Sequence, residues 1–241
     1  MSNRLIDRQL SLLEYLTSGA AIFGSPCVNV DHTCSGIESG LLDREARFSF
    51  DKRMGKVRAV LPLTVALIEN NAIAVLQEFV EACPPKDIGQ FANALQFSDF
   101  LRARARRAPL APPYVVDVAA CELALARVRL RVDEPRPMAE SCGRHGAIRR
   151  HPDAVFVSCT YDVRSVFEVT GEPSPPEERN TFVAVSIPQG AEAPQLFEMN
   201  AVLFDLLSSC HMWADLSVFG ATGEREDLVH DLVNSGLVEV R

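Results

Sequence analysis

Local spacing brings metal-binding residue types together at one place in this chain, where Cys27, Asp31, His32 and Cys34 fall in a single short stretch. Thiolate and imidazole donors suit zinc, but a closed structural site takes four ligands, and no second pair at a standard spacing follows. The stretch therefore reads as an ordinary loop holding a buried thiol or two. The other histidines, His145, His151, His211 and His230, stand far apart, without HExxH, and no Walker loop, GxGxxG or GxSxG occurs. The seven cysteines are odd in number and scattered, without a CxxC pair, so they are expected as free thiols in a reducing compartment. No catalytic group, metal or cofactor is assigned to this chain, and it is expected not to be an enzyme on its own.

Composition narrows the partners. The 241 residues are 47% hydrophobic and 23% charged, ordinary for a globular protein, with a formal net charge of −8. Phosphate contacts need a concentrated excess of Lys and Arg, so a general nucleic-acid binder is disfavoured. Arg102, Arg104, Arg106 and Arg107 form a basic run, but it reads as a solvated helix end, where positive charge complements the helix dipole. No apolar run is long enough to span a bilayer, and the first residues carry charges where a signal peptide needs an apolar segment. The expected location is cytoplasmic, with no membrane partner.

The elements follow from periodicity. A helix is expected over Arg4 to Leu16, stopping at Gly19, followed by a long loop to Gly40. Lys52 to Cys83 predicts two helices or a bent one, interrupted by Pro62 and ended by Pro84 and Pro85. Asp87 is a candidate cap for a helix with Ile88, Phe91, Leu95 and Leu101 facing inward. Another helix follows Pro112 and Pro113, with Tyr114, Val118, Cys121, Leu125 and Val128 at steps of four and three. Residues 1–132 thus read as an all-helical bundle. The polar, Pro- and Gly-broken 133–150 reads as a linker, and 151–241 as a second domain.

That domain begins with a strand over Ala154 to Tyr161, which Arg164 to Val169 continues or restarts. A second strand is expected around Phe182 to Ile187. An amphipathic helix within LFEMNAVLFDLLSSC is capped at Asn200, then come a short apolar piece and a last helix ending at Gly236. Strands feeding three helices predict a small winged-helix-like module, so the fold class is α+β: a helical bundle followed by a winged-helix-like domain.

Two segments resemble a known family. DFLRARARRAPLAPPYVVDVAACELALARVR is similar to the helical region of HvfC/BufC-type proteins, at Phe97, Phe100, Leu101, Pro113, Tyr114, Asp117, Ala119, Glu122 and Ala124. HPDAVFVSCTYDVRSVFE, residues 151–168, resembles the start of that family's second domain. The resemblance implies a partner protein of multinuclear non-haem iron-dependent oxidative enzymes that modify ribosomally made peptides, often at cysteine, with relatives in methanobactin and 3-thiaglutamate biosynthesis. The iron would belong to the partner enzyme.

The strands-then-three-helices order also looks like the leader-recognition element of peptide-modifying systems, in which the leader adds as a strand beside the third strand and lies against the last helix. By position that edge is Thr181, Phe182, Val183, Ala184 and Val185, with Leu228, Leu232 or Val233 lining the groove. The same residues also fit a core role, since Leu228 with Leu232 and Val229 with Val233 are i,i+4 pairs. The expected function is a non-catalytic subunit: the helical half docks on the iron enzyme as a heterodimer, and the C-terminal half captures the leader of a precursor peptide. The alternative is a winged-helix DNA-binding regulator. It needs a basic recognition helix, whereas the last helix has Glu224, Glu226, Asp227 and Asp231 against Arg225.

Overall fold

The fold comes from a computed structural model that describes residues 2–24, 38–68, 72–132, 146–168, 175–219 and 222–241. The Cys27–Cys34 stretch therefore lies outside the described residues. Helices come first and strands later, in a mixed helix-and-sheet chain with two compact units, 1–116 and 117–241.

The first unit is helical: α1 (Ser2–Leu16), α2 (Gly19–Phe23), α3 (Ser39–Val60), α4 (Pro62–Ile68), α5 (Ala72–Ala82) and α6 (Gln90–Ala105). Gly19 opens α2 rather than merely stopping α1, because the Ser18 hydroxyl accepts from Ala21 N–H and caps a new turn. Pro62 sits at the first position of α4, where its missing N–H costs nothing. Phe79, Phe97 and Phe100 pack ring against ring at 4.8–6.3 Å in the core. Asp87 accepts from Gly89 N–H at 2.6 Å, just ahead of α6. The buried face of α6 is Asn93, Ala94, Phe97, Ser98, Phe100 and Leu101, whereas Ile88 and Leu95 are exposed. The expected inner stripe is thus met at Leu101, met in part at the half-buried Phe91, and missed at Ile88 and Leu95. The cause is polar: Arg53 of α3 is buried and donates to Asn93 and Gln96, which turns that side of α6 inward. Arg104, in the last turn of α6, pairs with both carboxylate oxygens of Glu78 at 3.0 Å.

The division between the units falls before most of α7 (Val115–Val132) rather than after it, so the boundary expected at 132 is corrected. The presumed linker also ends early, because Ala147–Arg150 is strand β1. It is followed by β2 (Val155–Cys159), the short helix α8 (Arg164–Phe167), β3 (Thr181–Ser186), β4 (Gln195–Met199), α9 (Ala201–Ser209), β5 (Ala214–Asp215), a 3-10 turn (Leu216–Phe219), α10 (Thr222–Asn234) and β6 (Val238–Val240). Arg164 to Phe167 is helical where a continued strand was expected. Gln195 to Met199 is a strand, and the helix begins only after Asn200, whose Oδ1 accepts from Leu203 N–H at 2.8 Å.

Two antiparallel sheets result, with orders β5-β1-β6 and β2-β3-β4. In the second, the register puts Val157, Cys159, Val183 and Leu196 on one face and Phe156, Phe182, Ala184, Phe197 and Met199 on the other. The Cys121 sulfur of α7 lies 3.8 Å from that of Cys159, so α7 covers the first face. Ala184, Met199, Phe156 and Phe182 join Leu207 of α9 and Leu232 of α10 in the core on the other. The unit is layered helix, sheet, helix. At its C-terminal end Gly236 adopts φ 67°, and a Cβ there would stand 2.2 Å from the Ile187 carbonyl oxygen.

Candidate functional site

β3 is the middle strand of its sheet. Val155 to Cys159 pair with Val185 to Thr181 on one side, and Gln195 to Met199 with Ser186 to Phe182 on the other. The main-chain edge expected at Thr181, Phe182, Val183, Ala184 and Val185 is therefore already occupied. Val183, Ala184 and Val185 are fully buried and Thr181 nearly so, while Phe182 packs on Phe204 at 4.8 Å. On α10, Leu232 is buried, and Leu228 and Val233 are half-buried against the same core. These eight residues form a coherent interior rather than a lined groove. A strand with both faces covered reads as a nearly continuous apolar run, and TFVAVS is such a run; the run signals two covered faces and leaves open whether the main-chain edges are paired.

The third strand of this sheet is β4, and among the described residues no strand pairs with its outer side. Leu196 and Phe197 are half-exposed there, and Gln195 and Glu198 are exposed. Sequence reading missed β4 because LFEM runs without a break of glycine or proline into the apolar helix after Asn200.

A closed ionic network ties β4 down. Arg164 donates from Nε and Nη2 to both Asp162 oxygens, at 2.8 and 2.7 Å, and pairs through Nη1 with Glu198 at 2.6 Å. Arg179 bridges the same two acids, contacting Glu198 at 2.9 Å and Asp162. The Arg164 guanidinium, helped by Arg179 and opposed by partial burial, holds the Asp162 carboxyl well below the usual carboxylate range. With two cations and two anions satisfied by one another, the network positions β4 rather than offering a reactive group.

Asp117, one of the residues that carry the family resemblance, has a structural role. Its Oδ2 accepts from Thr160 and Tyr161 N–H at 2.8 and 2.9 Å, so α7 caps the end of β2.

A cleft of about 320 Å³ lies between the end of α7 and the turn after β1, lined by Val128, His151, Asp153, Ser186, Pro188 and Gly236. His151 Nδ1 accepts from Asp153 N–H at 3.2 Å, and its Nε2 stands 3.6 Å from Glu239. The Ser186 hydroxyl donates to Ser235 O at 2.6 Å, which directs it away from a nucleophile's role. Among the described residues no three His, Cys, Asp or Glu side chains gather as metal ligands. Among them, too, no single helix is long and apolar enough to cross a membrane.

No protein-family model matches this chain, and no curated protein sequence matches it significantly.

Proposed function

We propose that this chain is a non-catalytic partner subunit, which holds the leader of a ribosomally made precursor peptide and presents the peptide, at a cysteine, to a multinuclear iron-dependent oxidative enzyme. The observation that carries this reading is the outer edge of β4, which no strand among the described residues pairs, in the third strand of an antiparallel sheet followed by α9, the 3-10 turn and α10. An extended peptide adds to such an edge through main-chain hydrogen bonds, with side chains such as Leu196 and Phe197 supplying selectivity. The edge moves from β3 to β4 relative to the sequence expectation, and the rest of the reading is unchanged.

Docking of the helical unit is supported by α1, whose Leu5, Ile6, Leu10 and Leu13 are each more than half exposed. Tethering leader and enzyme on one subunit raises the effective concentration of the reactive cysteine at the iron, so a chain without a catalytic group can be required for turnover. The DNA-binding alternative gains nothing, since Glu226, Asp227 and Asp231 of α10 are all exposed and would repel phosphates.

The test is co-expression with a candidate multinuclear iron enzyme and precursor peptide encoded beside this chain, with a tag on one component. An iron-containing complex that binds peptide only when this chain is present is the expected result. Leu196→Lys should weaken peptide binding roughly tenfold or more while the complex still forms. A chain that elutes alone and binds neither enzyme nor peptide would overturn the reading.

A further inference from the structure

We infer that Cys121 and Cys159 are a latent disulfide pair, which peroxide converts into a covalent tie between α7 and the β2-β3-β4 sheet. The inference does not rest on the proposed function. The two sulfurs are 3.8 Å apart in a hydrogen-bond contact, inside the C-terminal unit, on elements separated by 38 residues of chain. Cys121 is fully buried and Cys159 nearly so.

A second contact holds helix and strand together beside the sulfurs. Asp117 stands one helical turn before Cys121 and accepts from the N–H groups of Thr160 and Tyr161, the two residues after Cys159. Helix and strand are thus clamped beside the sulfur pair, whose 3.8 Å separation must close to the disulfide length of about 2.05 Å.

The chemistry balances with hydrogen peroxide. One sulfur attacks the peroxide, an S–O bond forms as the O–O bond breaks, and one water leaves, giving a sulfenic acid. The second sulfur attacks that sulfenic sulfur; the S–S bond forms, the S–O bond breaks, and the oxygen takes up the thiol proton and leaves as a second water. Two thiols are oxidised and one peroxide is reduced to two waters. The hydrogen bond with Cys159, and then burial, push the Cys121 thiol far above its ordinary range. The reactive thiolate is therefore scarce, and oxidation proceeds only as fast as the unit opens locally.

The experiment treats the full chain with hydrogen peroxide, blocks remaining thiols with N-ethylmaleimide, and maps the digest by mass spectrometry. A cross-linked Cys121–Cys159 peptide is expected, forming slowly in buffer and faster in mild denaturant. Tm should rise by roughly 5 °C and return to its starting value on adding dithiothreitol. Cys159→Ser should abolish both cross-link and rise; should that variant fail to fold, the cross-link in the unaltered chain still decides. Sulfinic or sulfonic acids at these positions, or cross-links that leave this pair out, would overturn the inference.

Discussion

Asp117 carries more at the residue scale than its place on a helix suggests. A carboxylate accepting from two successive N–H groups, Thr160 and Tyr161, is a charge-assisted cap, and its loss leaves both donors without their partner. Asp117→Ala should cost about 2–3 kcal/mol in urea unfolding of the C-terminal unit, and Asp117→Asn distinctly less. Asp162 governs a pH dependence. Its pKa is lowered in the folded chain by Arg164 and Arg179, so its contribution is complete above the unfolded carboxylate value of about 3.9 and is lost as pH falls toward the lower folded value. Stability should fall on acidification below about pH 4, and Asp162→Asn should flatten that limb in melts recorded across the range.

Element by element, the contrast between β3 and β4 is the one that matters for function. β3 is covered on both faces and paired on both edges, whereas β4 has exposed positions and an outer edge that no strand among the described residues pairs. The same chemical change should therefore have opposite consequences in the two strands. Val183→Lys buries an unpaired charge and should destabilise by more than about 4 kcal/mol, giving an insoluble or unfolded chain by circular dichroism. Leu196→Lys, at a half-exposed position of the outer strand, should lower Tm distinctly less and leave a folded chain.

For the whole molecule, the assignment of α7 changes what can be separated. Its Cys121 packs on Cys159, and its Arg131 lies 3.6 Å from Asp153, so the sheet's first face is covered by a helix that precedes it in the chain. A fragment spanning 109–241 should fold with a cooperative thermal transition. One spanning 146–241 should not, because Val157 and Val183 would be stripped to solvent. Circular dichroism melts of the two fragments would decide it.

The sequence by itself determined the features that arise from local chemistry. Asn200 as a helix cap, Gly236 at the end of the last helix, the strand at Phe182 to Ser186, the arginine-rich end of α6 and the helices-before-strands order were all legible, because each depends on a few consecutive side chains. Only the tertiary structure decided which strand was central, that residues 147–150 and 195–199 were strands at all, and that α7 belonged with the sheet. Those outcomes rest on partners distant in the chain: β1 needs β5 and β6, β4 needs β3, and the apolar stripe of α7 fits either a helix or a sheet face. Periodicity tells a side chain to be buried; it does not say against what.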